Sequence, residues 1–190
     1  MRRHTDGATP ATRRDHWDGV YSRSSDTELS WYQLSPRMSL RLFEALDVPT
    51  DAAVLDVGGG AVARRRLGMA ADVHWLQRDL LDWRPSRRYD LWHDRAVLHF
   101  LVSEHDRARY LRVLRAALRP GGRLIVGTFA EDGPERCSGL PVIRYGPDQL
   151  AEFLDGGFDV VDVRREGHHP PAGGTQPFTW LAARAAGFTA

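Results

Sequence analysis

Apolar positions along the chain fall into short runs and periodic stretches separated by turn residues. Leu40, Phe43 and Leu46 recur at helical spacing behind Ser35 and Pro36, a capping residue followed by the proline favoured at a first helical position. That spacing predicts a helix ending before Pro49. Residues 52–57 (AAVLDV) form an apolar run stopped by Gly58, Gly59 and Gly60, which reads as a buried strand opening into a glycine turn. Residues 61–67 suit a short helix, with Gly68 to end it. Residues 72–79 (DVHWLQRD) alternate as a second strand, and residues 89–93 (YDLWH) make a third.

Ser103 then starts a strong helix, with Asp106 in its first turn, Leu111, Leu114 and Leu118 facing inward, and Pro120-Gly121-Gly122 closing it. A fourth strand follows at 123–129 (RLIVGTF), a short helix at 147–154, and strands at 158–164 and 177–184. Strands alternating with helices over the first two-thirds predict an α/β fold with a Rossmann-like, mostly parallel sheet and flanking helices. The last two strands are joined by a Gly/Pro-rich segment (EGHHPPAGG) without helical period, so they should pair as an antiparallel C-terminal hairpin. Residues 1–15 read as a flexible polar tail and 16–190 as a single domain. The stretch from His16 to Gln33 is too rich in Trp and Tyr to be a simple linker.

Composition narrows the function classes. The 26 basic and 25 acidic residues nearly cancel, which offers no electrostatic case for nucleic acid or an acidic membrane. Every basic residue other than histidine is arginine, so clusters such as Arg64-Arg65-Arg66 carry less functional weight than in a mixed background. One cysteine, Cys137, excludes an intrachain disulfide and a multi-cysteine metal site. No segment approaches the roughly 20 apolar residues of a membrane helix, and no apolar stretch follows the N-terminal arginines, so a cytoplasmic location is expected.

The glycine turn carries the chemistry. Glycines permit positive φ and close backbone approach, and the following helix start offers free N–H groups, which together suit an adenosine-bearing ligand. The dinucleotide fingerprint G-x-G-x-x-G is incomplete, since Ala63 stands where its last glycine would be. Asp79 closes the next expected strand about 20 residues after the turn, where a carboxylate can meet a ribose hydroxyl or cap a turn. Asp56 and Asp79 would then flank the crevice at the carboxyl ends of neighbouring strands.

Asp56-Val57-Gly58-Gly59-Gly60, Arg78-Asp79-Leu80, the stretch from Tyr89 to Phe100 (YDLWHDRAVLHF) and Leu118-Arg119-Pro120-Gly121-Gly122 together resemble class I S-adenosylmethionine-dependent methyltransferases. The likeness spans about residues 16–185. Its entry segment, His16-Trp17-Asp18 with Tyr21 and Ser30-Trp31-Tyr32, is similar to the branch holding lysine methyltransferases of citrate synthase and elongation factor. The resemblance implies S-adenosylmethionine as cofactor, held by Gly58, Gly59 and Gly60 with Asp56 ordering the turn. It places Asp79 and Leu80 at the adenine, Asp94 near the methionine and the methyl group, and Trp31 over the site. The methyl acceptor, a protein lysine or a small molecule, and the oligomeric state stay open.

The chain departs from that family between the glycine turn and Asp79. Only residues 61–71 are available where the family places a helix, a strand with an acidic ribose ligand, and a second helix. Eleven residues suffice for one short crossover. An internal deletion is therefore expected, with one strand fewer than usual and a weakened adenosine pocket. A methyl donor that is already activated needs mainly positioning. If the acceptor must lose a proton, Asp94 and His99 are the candidate bases, with Tyr145 more remote. His93, His99 and His105 are spaced by six residues and fit no metal-ligand pattern. A truncated relative acting as a binding protein, and a nicotinamide-dependent enzyme with Asp79 on ribose, are the alternatives.

Overall fold

The computed structural model describes residues 10–23, 25–67, 72–154 and 156–187. Helix α1 (Pro10–Arg23) is followed by a 3₁₀ turn (Asp26–Glu28) and helix α2 (Arg37–Ala45). Strand β1 (Val54–Val57) leads through the glycine turn into α3 (Gly60–Leu67) and on to a 3₁₀ turn (Leu80–Asp82). Strand β2 (Tyr89–Arg95), helix α4 (Glu104–Ala117) and strand β3 (Leu118–Phe129) come next. A small hairpin of β4 (Arg136–Cys137) and β5 (Leu140–Pro141), helix α5 (Pro147–Leu154) and strands β6 (Phe158–His168) and β7 (Gln176–Ala185) complete the chain.

Five strands form one sheet in the order β1-β2-β3-β7-β6. The first three are parallel, while β7 runs antiparallel to both β3 and β6. This is the expected α/β architecture with its antiparallel terminal hairpin. The sheet divides the core into two layers. On one face Trp92, Leu124, Val126 and Leu181 pack with Tyr110 and Leu114 of α4 and Leu150 of α5. On the other, Leu91, Ile125, Phe129, Phe178 and Trp180 pack with Leu42 and Leu46 of the α2 region. Alternation along β2 assigns neighbours to opposite layers.

Local chemistry explains the helix ends. The Ser103 hydroxyl accepts from the Asp106 N–H at 3.1 Å, and Glu104 and Asp106 in the first turn complement the helix dipole. The C-terminus of α2 is served by arginines: Arg123 Nε and Arg184 donate to the Leu46 carbonyl at 2.7 and 2.9 Å, and Arg123 also reaches that of Asp47 at 2.9 Å.

Several expectations are corrected. Residues 72–79 form no strand: residues 72–77 are irregular and exposed, with Leu76 52% exposed. Period-two alternation stabilises a strand only when one face finds an apolar surface, and neither face of residues 72–77 is buried. Helix α2 begins at Arg37 rather than at a Ser35 cap, because Pro36 is non-helical (φ −81°, ψ 59°). Its inward face is Ser39, Leu42 and Leu46, while Leu40 is 50% exposed. Residues 10–15 of the expected tail belong to α1. Residues 1–9 and the expected helix end at Gly68 lie outside the described residues.

Gly127 sits opposite Trp180 in the β3–β7 register, and a Cβ there would lie 2.7 Å from the indole. Gly127→Ala should therefore cost about 1–3 kcal/mol by overpacking. A denaturant midpoint shift at constant m-value checks this.

Candidate functional site

Strand β1 delivers the glycine turn to the carboxyl edge of the parallel strands. Gly58 (φ 77°) and Gly60 (φ 60°) both occupy the region that side chains disfavour, so the sharp entry to α3 requires glycine. A Cβ at Gly59 would lie 2.7 Å from Asp56 Oδ2, and one at Gly60 would lie 2.5 Å from the Tyr21 hydroxyl. The turn is thus pressed between its own carboxylate and a phenol from α1. The β1–β2 register sets Asp56 beside His93 and Val57 beside Asp94.

Asp56 Oδ1 accepts from His93 Nδ1 at 2.6 Å, and His93 Nε2 meets Ser39 Oγ at 2.9 Å. In the neutral ring Nδ1 carries the proton and Nε2 accepts from the serine hydroxyl. The connectivity matches that of a hydrolytic Ser-His-Asp set, but Ser39 is 6% exposed, and Phe43 and Trp180 lie against the imidazole. Its evident work is to tie α2, β1 and β2 together and to orient Asp56.

Asp94 is fully buried. Its carboxylate accepts from the Tyr110 hydroxyl at 2.7 Å and from the N–H groups of Val97 and Leu98 at 2.8 and 3.2 Å. Trp92 Nε1 donates in turn to the Tyr110 oxygen at 3.1 Å. Burial pushes the Asp94 carboxyl up to about 6, against the opposing effect of its donors. Asp94 therefore shapes the turn after β2. Val97, whose N–H it holds, packs against Gly58.

His99 is also fully buried, within the 3₁₀ turn Leu98–Phe100. Its Nδ1 accepts from the Phe129 N–H at 3.4 Å and its Nε2 has no partner among the described residues. Burial, helped by the Arg95 charge, holds its pKa down to about 3, so it is neutral at pH 7 and a weak base. Tyr145 is pushed up to about 12 by burial and stays protonated.

Asp79 caps the Leu80–Asp82 turn, its Oδ1 accepting from the Leu81 N–H at 2.9 Å. Leu80 and Leu81 pack into the apolar cluster on the α4 face of the sheet, where the turn lies against α4. Trp31 packs edge-on against Trp17 and Tyr21, with ring centroids 5.9 Å apart in each pair, and Trp17 meets Phe100 at 5.1 Å. Aromatic residues of the entry segment thus roof the carboxyl end of the sheet.

Sequence reasoning missed three members of this arrangement. Ser39 had no local signature, and Tyr110 sits sixteen residues from the carboxylate it serves. Arg95 was legible as the last residue of an apolar strand, where a charge invites explanation. Cys137 is buried and its thiol is pushed up by burial, which removes it as a nucleophile. No His/Cys/Asp/Glu group suited to a metal occurs among the described residues. No described helix is long and apolar enough to cross a membrane.

No family model matches the chain, and no curated protein matches it. Solved structures do. The 1,6-didemethyltoxoflavin-N1-methyltransferase of Burkholderia thailandensis, solved with 1,6-didemethyltoxoflavin and S-adenosylhomocysteine, superposes with a TM-score of 0.64 at 21% identity, covering 97% of this chain and 93% of that one. The N-methyltransferase NodS of Bradyrhizobium japonicum, in complex with S-adenosylhomocysteine, gives 0.62 at 13% identity over 90% and 98% of the two chains. The [4+2]-cyclase SpnF gives 0.61 at 19% identity over 87% and 86%. At these identities the likeness is one of architecture. The chain has the Rossmann-like fold of S-adenosylmethionine-dependent methyltransferases.

Proposed function

We propose that the chain is an S-adenosylmethionine-dependent methyltransferase acting on a small-molecule or protein-lysine acceptor. The observation that carries this reading is the glycine turn at the carboxyl end of β1. Its positive-φ Gly58 and Gly60 open the N-terminus of α3 between Asp56 and the aromatic roof of Tyr21 and Trp31. Two neighbours of the same fold carry S-adenosylhomocysteine.

In this reading Gly58, Gly59 and Gly60 lie against the methionine and ribose, with Asp56 fixing the turn. Asp79 and Leu80 take the adenine, and Trp31 closes the site. The cofactor, when bound, supplies a methyl group on a sulfonium ready for in-line displacement. The protein's part is then orientation and exclusion of water. Asp94 acts at one remove, holding Val97 against Gly58. His99, the other candidate base, is neutral, with Nδ1 taken by the Phe129 N–H and the ring proton on Nε2, so this reading draws on no side-chain base and suits an acceptor that gives up its proton readily.

A second reading is favoured by the open edge of β1. The described residues between β1 and β2 contain no strand and so no strand-borne carboxylate for the ribose hydroxyls. We read this as the expected internal deletion. Loss of one charged hydrogen bond, roughly 1.5–3 kcal/mol, would weaken binding about ten- to hundredfold. The chain would then be a relative that binds without turning over.

Calorimetric titration with S-adenosylhomocysteine and NAD separates these readings. We expect S-adenosylhomocysteine to bind with a Kd of roughly 10–500 μM and NAD not to bind. A folded chain that ignores 1 mM S-adenosylhomocysteine refutes the methyltransferase reading. Binding without any methylated product in a lysate incubated with S-adenosylmethionine, read by mass spectrometry, selects the second reading.

A further inference from the structure

Arg95 ends β2, and alternation turns its side chain to the face opposite Asp94, under the aromatic roof. One guanidinium nitrogen, Nη1, donates to the Trp31 carbonyl at 2.8 Å, and Cζ stands 5.6 Å from the Phe178 ring centroid. Nε and Nη2 are buried and have no hydrogen-bond partner. Among the described residues no carboxylate forms an ion pair with Arg95. Glu166, whose charge reaches it, is engaged by Trp180 Nε1 at 2.9 Å. Arginine keeps its proton, so this is a largely buried cation that the Glu166 and Asp56 charges offset without an ion pair among the described residues.

The free atoms are a matched pair. Nε–H and Nη2–H lie on one edge of the guanidinium and point the same way, forming the fork that receives the two oxygens of a carboxylate. The backbone beside it is strained: Ala96 has φ 68°, held by its N–H donating to the Gly127 carbonyl at 2.8 Å. A non-glycine residue in that region costs about 1 kcal/mol and persists where the surroundings require it, commonly at ligand sites. A cavity of about 280 Å³, lined in part by Arg23, Glu28, Ser30, Trp31 and Ser138, lies on the other side of Trp31, whose carbonyl Arg95 holds.

We propose that the Nε/Nη2 edge of Arg95 is the docking point for a carboxylate on the methyl acceptor, a planar aromatic acid seated beside Trp31. Its place in the reaction rests on the methyltransferase reading, but the anion site itself does not. The Trp31 carbonyl holds Nη1, which leaves the Nε/Nη2 edge as the one the acid would meet.

The test uses benzoate and its neutral isostere benzamide as probes on the full chain, with and without excess S-adenosylhomocysteine, followed by tryptophan fluorescence. We expect benzoate to bind at least about tenfold more tightly than benzamide, in the millimolar range usual for so small a ligand. Arg95→Gln should erase the difference, and Arg95→Lys, which keeps charge but not the fork, should restore only part of it. The wild-type comparison decides the matter even if the variants fold poorly. Equal binding of the two probes, no benzoate binding at roughly 50 mM, or an undiminished preference in folded Arg95→Gln would overturn the proposal. S-adenosylhomocysteine titrations of the same proteins keep the two ideas apart. Cofactor binding without benzoate preference sinks only the acid site, whereas benzoate preference without cofactor binding sinks the methyltransferase reading.

Discussion

Replacing Asp94 by alanine will lower stability by about 3–5 kcal/mol and the melting temperature by roughly 10 °C. The carboxylate is fully buried and satisfies three donors, the Tyr110 hydroxyl and the Val97 and Leu98 N–H groups. Truncation strands all three where water cannot reach them. Asp94→Asn keeps the volume but turns an amide N–H₂ toward at least one of those donors, so it should recover only part of the loss.

The same residue has a pH signature. The native Asp94 carboxyl, at about 6, lies above its unfolded value near 3.9, so between these limits the folded state holds a proton that the unfolded state does not. Its contribution therefore rises as the pH falls from about 6 toward 4. His99 runs the other way. Held to about 3 in the native state and near 6.5 unfolded, it weakens the fold as the pH falls below 6.5. The two slopes oppose across pH 4–6. Melting curves of single variants should unmask them: relative to wild type, Asp94→Asn loses more stability on acidification, and His99→Gln loses less or gains. Parallel curves for all three proteins would refute the assignment of these protons.

Gly58→Ala will cost about 2–4 kcal/mol and reduce S-adenosylhomocysteine affinity by about a hundredfold or more. At φ 77° a Cβ costs about 1–2 kcal/mol in backbone strain. It also collides with the Val97 side chain, which Asp94 holds in place through the Val97 N–H. Relief would require the turn to move away from Val97, displacing the surface proposed to meet the cofactor. Calorimetry at 15 °C, where the variant should remain folded, separates lost affinity from lost stability. Undiminished binding would remove the turn from the cofactor site.

Local pattern proved sufficient where one segment decides its own structure. The strand before Gly58, the Ser103 cap with its acidic first turn and the helix-free terminal hairpin all appear where the residues place them, because caps, glycine φ and period are properties of a few neighbouring residues, although β1 is a part-exposed edge strand and not the buried one its apolar run suggests. Pattern failed where the partner decides. Residues 72–79 alternate as well as a true strand does, yet form none, since residues 72–77 are exposed and bury no apolar face. Leu40 looked inward, but the placement of α2 on the sheet chose Ser39 and brought it to His93.

The candidate site shows the same division. Gly58, Gly59, Gly60 and Asp56 were legible because the turn demands them in sequence. Asp94 and His99 were legible as unusual residues at a strand end, but their environments were not. Adjacent residues of a strand face opposite layers, so Asp94 was delivered to Tyr110 and Arg95 to the aromatic roof, contacts sixteen and sixty-four residues away along the chain. The sequence by itself determined the α/β order of elements and the glycine turn, through short-range sterics and period. Only tertiary packing decided which ionisable groups lost water, which donors they met, and that Arg95 was left with an unpaired fork, because desolvation and long-range pairing belong to the assembled layers.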